Sequence, residues 1–144
     1  MALRKVSALL LYNSEGKILL QHRSNDAKRL PGYWAFFGGG IEQGETPEQA
    51  LQREALEELG YKTIHAQHLT TTMFNYKDDE NMTYVFVEKY DENQSLQLGE
   101  GQGMGWYLPN ETGDLEMIDN DRLVITAISE FLEKSGSNSV PLGS

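Results

Sequence analysis

Cysteine is absent from the 144-residue chain, and its absence excludes disulfide bonds, thiolate metal ligands and a cysteine nucleophile. Basic residues are scarce: 12 Lys and Arg stand against 22 Asp and Glu, so the formal net charge is -10. A surface of this charge repels the phosphate backbone of nucleic acids and anionic lipid headgroups. We therefore expect no nucleic acid polymer and no membrane among the partners, and a local cation wherever a small anion binds.

Long hydrophobic runs are also missing. The apolar run at residues 6–12 is too short to span a membrane, and no small-residue cleavage site of a signal peptide follows it. We therefore expect a cytoplasmic protein. The length and the hydrophobic fraction of 39% fit one globular domain, residues 1–134, followed by a flexible Ser/Gly-rich tail at residues 135–144. A homodimer is left open.

The predicted elements follow the order strands, helix, strands, helix, which is typical of an α+β fold with a mixed β-sheet between α-helices. Residues 38–40 are three consecutive glycines, which we expect to lie outside regular structure because they permit close backbone approach or a positive φ. Apolar runs bounded by turn residues predict strands at residues 6–12, 17–23, 34–37, 62–76, 83–90 and 104–108.

Two helices are predicted from their start and stop signals. The first covers residues 47–59, with Thr46 as its N-cap, proline at its first position and Gly60 after its last turn. The second covers residues 122–134, with residues 119–121 (Asp-Asn-Asp) as its cap.

Three glutamates share one face of the first predicted helix. At about 100° per residue, Glu57 lies roughly 60° to one side of Glu54, and Glu58 lies roughly 40° to the other. Like charges four residues apart are mildly destabilising, and three hard oxygen ligands on one face suit Mg²⁺ or Mn²⁺. The alternative is a solvated acidic face without a ligand.

The spacing around these glutamates is specific. Gly39 is followed by five residues, Glu45, seven residues and then residues 53–61, Arg-Glu-Ala-Leu-Glu-Glu-Leu-Gly-Tyr. This pattern resembles the Nudix box, from which only Ala55 and Tyr61, at aliphatic positions, depart. The resemblance implies the Nudix fold, an α+β mixed sheet between helices, over about residues 4–134. Compatible residues flank the box at Arg23, Trp34, Glu100–Gly101 and Trp106–Tyr107.

The resemblance also implies a metal-dependent hydrolysis. Mg²⁺, with Mn²⁺ as a substitute, would neutralise a diphosphate and lower the pKa of a water, whose proton a carboxylate takes. The metal ligands implied are Glu54, Glu57, Glu58, the carbonyl of Gly38, and Glu100, which is also a candidate base.

Two implied roles have structural alternatives. Arg53 and Glu45 resemble the pair that orients the box helix and its loop for catalysis, and a purely structural ion pair is equally compatible with the sequence. Glu100 lies in a glycine-rich loop, residues 98–103, and a solvated side chain there is the alternative to a ligand or base.

Three further residues are candidates for substrate binding. Arg23 has the planar guanidinium that suits a substrate phosphate, or it is an exposed strand end. Asn120 and Asp121 resemble residues that contact the base edge in family members acting on oxidised purine nucleoside triphosphates. Helix capping is the alternative for both.

The resemblance implies hydrolysis of a diphosphate linkage in a small nucleotide substrate, without fixing its leaving group. Nucleoside triphosphates, nucleotide sugars and dinucleotides all remain candidates. Gly40 stands where several triphosphate-cleaving members have lysine, which weakens the triphosphate interpretation. The alternative to an enzyme is a catalytically silent Nudix-fold nucleotide sensor; such modules usually lose a box glutamate, and none is missing here.

Overall fold

The described part of the chain forms seven strands and two α-helices, and this α+β content confirms the predicted fold class. The computed structural model of the chain describes residues 2–99 and 101–139. The strands are β1 (Ala2–Tyr12), β2 (Ile18–His22), β3 (Trp34–Ala35), β4 (Phe37–Gly40), β5 (Gln67–Tyr76), β6 (Asp79–Lys89) and β7 (Gly103–Tyr107). The helices are α1 (Pro47–Leu59) and α2 (Asp119–Ser139), with one turn of 3₁₀-helix at Pro109–Glu111.

One mixed sheet contains all these strands. Its main path runs β3-β2-β1-β6-β5, while β4 pairs with β1 and β7 pairs with β2. The central pair, β1 and β6, is parallel from Ala2 opposite Asp79 to Tyr12 opposite Lys89, and the other pairs are antiparallel.

The sheet buries apolar side chains on both faces because successive residues of a strand point to opposite sides. Leu9 and Leu11 of β1 pack in one cluster with Leu51 and Leu59 of α1. Leu10, between them, packs in a second cluster with residues of α2, including Val124, Ile125 and Ile128. The two helices therefore cover opposite faces, as predicted. Within the described residues no helix is long and apolar enough to cross a membrane.

The predicted bounds of α1 are confirmed by its caps. The Thr46 side chain accepts a hydrogen bond from the backbone N–H of Gln49, and the Gln49 side chain accepts one from the N–H of Thr46. Gly60 ends the helix in the left-handed conformation, with φ at 62°, which glycine adopts without strain. These local signals fix where the box glutamates sit along the helix.

The prediction that the three glycines lie outside regular structure is wrong, because β4 contains them all. Gly38, Gly39 and Gly40 pair with Ala8, Ser7 and Val6 of β1. A strand needs only backbone hydrogen bonds, and β1 offers a partner that the glycines approach closely. At Gly38, where φ is 145°, a methyl group would lie 2.0 Å from the carbonyl oxygen of Ser7.

Tyr61, the residue at an aliphatic position of the box, is fully buried and its hydroxyl donates to Glu88 Oε2 at 2.5 Å. The other oxygen of Glu88 accepts from the backbone amides of Ile64 and His65, both at 2.9 Å. Because these amides are bonded to a side chain, β5 begins at Gln67 and not at residue 62 as predicted. Burial raises the pKa of the Tyr61 hydroxyl.

Three other elements are longer than predicted. β1 begins at Ala2 and β6 at Asp79, because the two strands pair along their whole lengths. Helix α2 begins at Asp119 and continues to Ser139, so residues 119–121 form its first turn and residues 135–139 are helical where a flexible tail was predicted. The rest of that tail, residues 140–144, lies outside the described residues.

Candidate functional site

Two glutamates of α1 lie against the backbone of β4. Glu58 is only 5% exposed, and its Oε1 accepts a hydrogen bond of 2.7 Å from the backbone amide of Gly38. The carboxylate of Glu54 fills the space beside Gly39, where a methyl group would lie 2.5 Å from Glu54 Oε1. A glycine at position 39 therefore lets this carboxylate reach the strand.

Arg53 connects the helix, the preceding loop and β4. Its Nε and Nη2 donate to the two oxygens of Glu45 at 2.8 and 3.0 Å, which is a forked, charge-assisted pair. Its Nη1 donates to Glu54 Oε1 at 2.8 Å, and Nη2 also donates to the carbonyl of Gly40 at 3.0 Å. The hydrogen bond from Arg53 lowers the pKa of Glu45 to about 2, and the hydrogen bond to Glu45 raises the pKa of Arg53.

Glu57, the third helical glutamate, faces solvent, with 59% of its side chain exposed and its Oε1 3.6 Å from Arg53 Nη1. Within residues 2–99 and 101–139, no three His, Cys, Asp or Glu side chains are arranged to hold a metal ion. The donor set still fits a hard divalent cation, because Glu54 and Glu58 present oxygens beside the glycine backbone and Glu57 follows on the same helix. The predicted metal ligands therefore remain a prediction.

A loop before β7 is docked on the end of α1. The amide of Gly99 donates to the Glu58 carbonyl at 2.7 Å, and a methyl group at Gly99 would lie 2.5 Å from the Glu57 carbonyl. Glycine is thus needed for the loop to approach the helix. Glu100 lies outside the described residues, and its role as ligand or base stays a prediction.

A cavity opens beside Gly38 and Gly39. Of the residues predicted to bind substrate, Arg23 and Asp121 line it. Most of its lining is apolar or aromatic and consists of Val6, Ala8, Leu30, Ala35, Phe36, Phe37, Phe74, Tyr76 and Ile118. Mostly apolar walls with a few polar groups are typical of a small-molecule site.

Asn120 and Asp121 lie inside the first turn of α2 and not before it. Within the described part of the chain, neither side chain accepts a hydrogen bond from a backbone amide of the helix, so the predicted capping by these two residues is wrong. Asn120 Nδ2 donates instead to Thr72 Oγ1 of β5 at 3.3 Å. Asp121 is 8% exposed, and its burial raises its pKa to about 6, against the opposing effects of Asn120 and Arg23.

Two arginines of the cavity were missed by the sequence interpretation. Arg4 lies on the part of β1 before the predicted strand, and Arg29 lies in the loop at residues 24–32; both line the cavity. Arg29 is held there, since its guanidinium donates to Asp79 and Asn81 and lies 5.0 Å from the centre of the Tyr76 ring. The alternation of residues 4, 6 and 8 on one strand face was the signal available for Arg4.

Asp121→Asn is expected to change how stability depends on pH. Because the pKa of Asp121 is raised from 3.8 to about 6 by folding, its contribution is full below pH 3.8 and is lost as pH rises through about 6. Two pKa units correspond to about 3 kcal/mol. In urea unfolding without divalent cations, the free energy of unfolding of the variant should rise relative to that of the wild type between pH 4 and 7. A stability difference independent of pH would contradict the shift.

The chain is similar to known proteins in sequence and in fold. The NUDIX domain family matches residues 1–127. The nucleoside triphosphatase NudI of Escherichia fergusonii is 31% identical over 119 residues, which cover 74% of this chain and 84% of that protein. NudI of Escherichia coli O139:H28 is 30% identical over 112 residues, covering 70% and 79%.

Two solved structures illustrate the similarity of fold. The MutT protein from Methanosarcina mazei Go1 superposes with a TM-score of 0.82 at 18% identity, over 92% of this chain and 96% of that chain. The E. coli ORF135 protein superposes with a TM-score of 0.74 at 24% identity, over 98% and 96%. At these identities the likeness concerns the fold alone.

Proposed function

Because this chain belongs to the NUDIX family and is a pyrophosphohydrolase, we propose that it hydrolyses nucleoside triphosphates with Mg²⁺ as its cofactor. The triphosphate class is supported by two relatives of at least 30% identity that are called nucleoside triphosphatases. This proposal differs from the expectation based on Gly40, because the glycine at that position weakened the triphosphate interpretation of the sequence.

One observation carries the proposal: the carboxylates of Glu54 and Glu58 lie against Gly39 and Gly38, and these glycines line the cavity. A nucleotide whose base enters the cavity would thus have its phosphates next to the acidic face of α1. In a chain of net charge -10, anionic phosphates need a cation there.

Glu54, Glu57 and Glu58 would hold the Mg²⁺, with the Gly38 carbonyl and Glu100 as further candidates. When bound, Mg²⁺ supplies charge neutralisation for the diphosphate and acts as a Lewis acid. The residues of the chain prepare the ligands: the amide of Gly38 orients Glu58, and Arg53 orients Glu54.

The reaction is a hydrolysis that needs no other co-reactant. A water oxygen forms a bond to one phosphorus, the bond from that phosphorus to the bridging oxygen breaks, and the other phosphate leaves. The water proton passes to a carboxylate of the site, for which Glu57, Glu58 and Glu100 are the candidates.

The base would be held beside Asp121 in the cavity. Asp121 is buried there, and Asn120 next to it is bonded to Thr72. A site that hydrogen-bonds a base edge discriminates strongly, because the wrong base leaves buried polar groups unpaired. We therefore propose that Asn120 and Asp121 select the base without taking part in the chemistry.

A phosphate-release panel tests the function. With Mg²⁺, the protein should release phosphate or pyrophosphate from nucleoside triphosphates at a much higher kcat/KM than it cleaves nucleotide sugars or dinucleotides. Asn120→Ala should change the ranking of purine and pyrimidine substrates while turnover of the best one persists. A preference for a nucleotide sugar would refute the triphosphate class, and an unchanged ranking would refute base selection by Asn120.

A further inference from the structure

The cavity contains three arginines although the chain as a whole is strongly acidic. Two of them have partners: the guanidinium of Arg29 donates to Asp79 and Asn81 at 3.0 and 3.1 Å, and Nε of Arg23 donates to the Arg29 carbonyl at 2.8 Å. Arg4 differs, since its guanidinium makes no hydrogen bond or ion pair with any other residue in the ranges 2–99 and 101–139. Among the described residues that line the cavity, Arg4 is therefore the arginine whose donors are open to a ligand.

The register of β1 directs Arg4 into the cavity. Arg4, Val6 and Ala8 alternate along the strand, and all three line the cavity. Val6 stands opposite Gly40, so Arg4 is the diagonal neighbour of that glycine on the same face. A methyl group at Gly40 would lie 3.7 Å from Arg4 Nη2. The missing side chain at position 40 leaves space in front of the guanidinium.

The surroundings of Arg4 are unfavourable for a cation without an anionic ligand. Burial and the charges of Arg29 and Arg23 lower its pKa, while Asp79 and Glu54 act in the opposite direction. Burying charged donors without hydrogen-bond partners costs free energy, and the fork of a guanidinium matches phosphate oxygens. The influence of Glu54 also places Arg4 near the proposed metal ligands.

We propose that Arg4 binds the phosphate chain of the substrate beside Gly40 and thereby favours nucleoside triphosphates, an inference that rests on the proposed function. A nucleotide sugar would place a neutral sugar where a triphosphate has its terminal phosphate. The neutral group would leave the guanidinium donors unpaired, so the same residue attracts one class and disfavours the other.

Binding of inorganic tripolyphosphate tests this role without a base, and without turnover in the titration that omits Mg²⁺. Titration calorimetry at low ionic strength, with and without Mg²⁺, compares the wild type with Arg4→Gln. The matched control is Lys5→Gln, which removes the same charge from the exposed neighbour on the other face of β1. We expect Arg4→Gln to weaken binding by about 10- to 100-fold, as for a lost charge-assisted hydrogen bond, and Lys5→Gln to change it little.

A rescue variant distinguishes a phosphate contact from a structural role. The backbone of Gly40 is not left-handed, so a side chain there is not strained, and a lysine would reach the space that Arg4 occupies. Gly40→Lys in the Arg4→Gln background should restore most of the tripolyphosphate affinity, and Arg4→Lys should retain part of it.

The outcomes separate this proposal from the proposed function. Absent wild-type binding of tripolyphosphate, or equal binding by the wild type and Arg4→Gln, overturns the role of Arg4 whatever the enzyme hydrolyses. The same titration with nucleoside monophosphates shows whether Arg4 contacts the base. If Arg4→Gln weakens binding only of the monophosphates of one base, Arg4 is a base contact, and its role as a phosphate contact is overturned. Conversely, tripolyphosphate binding that depends on Arg4 supports its role as a phosphate contact even if the phosphate-release panel shows another preferred substrate.

Discussion

Glu58→Gln is expected to lower kcat/KM by about two to three orders of magnitude while leaving the fold intact. The substitution removes the charge but little volume, and the glutamine oxygen can still accept the hydrogen bond from the Gly38 amide. What disappears is the carboxylate that we propose as a metal ligand, and ligands of a metal site matter more than their supporting residues, which already contribute about 10- to 100-fold. Steady-state kinetics with Mg²⁺, together with thermal unfolding, measure both quantities.

A matched control keeps this result interpretable. Glu48→Gln makes the same substitution on an exposed residue in the first turn of α1, away from the glycine strand. It should leave kcat/KM nearly unchanged and cost at most about 1 kcal/mol through the helix dipole. Unchanged turnover of folded Glu58→Gln, over a range of Mg²⁺ concentrations, would rule out Glu58 as a metal ligand.

Arg53→Met is expected to lower kcat/KM by about 10- to 100-fold, because Glu54 loses the group that orients it. The same substitution breaks the forked pair with Glu45 and the bond to the Gly40 carbonyl, so the loop and β4 each lose one of their contacts with the helix. Arg53→Lys should recover little, since a point charge cannot make the forked pair. Turnover within threefold of the wild type would show that the pair is only structural.

The pH dependence of stability gives a second measurement on the Arg53 variant. The pKa of Glu45 is lowered from 4.5 to about 2, so its stabilising contribution is present above pH 4.5 and is lost as pH falls through about 2. Without Arg53 the largest cause of this shift is gone. Between pH 4.5 and 2, the free energy of unfolding of Arg53→Met should therefore fall less than that of the wild type. Chemical unfolding at several pH values measures this difference.

The site helix could be predicted from sequence because its signals are local. Thr46, Pro47 and Gly60 set its bounds within one stretch of chain, and the spacing of the glutamates then follows from the geometry of the helix. The order of strands and helices along the chain, and the placing of helices on both faces of the sheet, also followed from the sequence pattern. The box resemblance added the chemistry, which the helix alone left open between a metal site and a solvated face.

What the sequence did not reveal depends on partners far away in the chain. Gly38–Gly40 form a strand only because β1 lies beside them, and β1 extends to Ala2 only because β6 pairs with it. Arg4 was overlooked for the same reason, since its direction depends on that pairing. The environment of Asp121 likewise arises from tertiary burial, which capping preferences cannot anticipate.

The parallel pairing of β1 with β6 has a consequence for how the chain reaches this structure. Ala2 stands opposite Asp79, so β1 leaves the ribosome well before its central neighbour β6, and α1 and β5 are made between them. Closing such a long loop is slow compared with forming a helix or a hairpin. Until then, the apolar residues of β1 are exposed on a nascent chain, where aggregation and chaperone capture compete with folding.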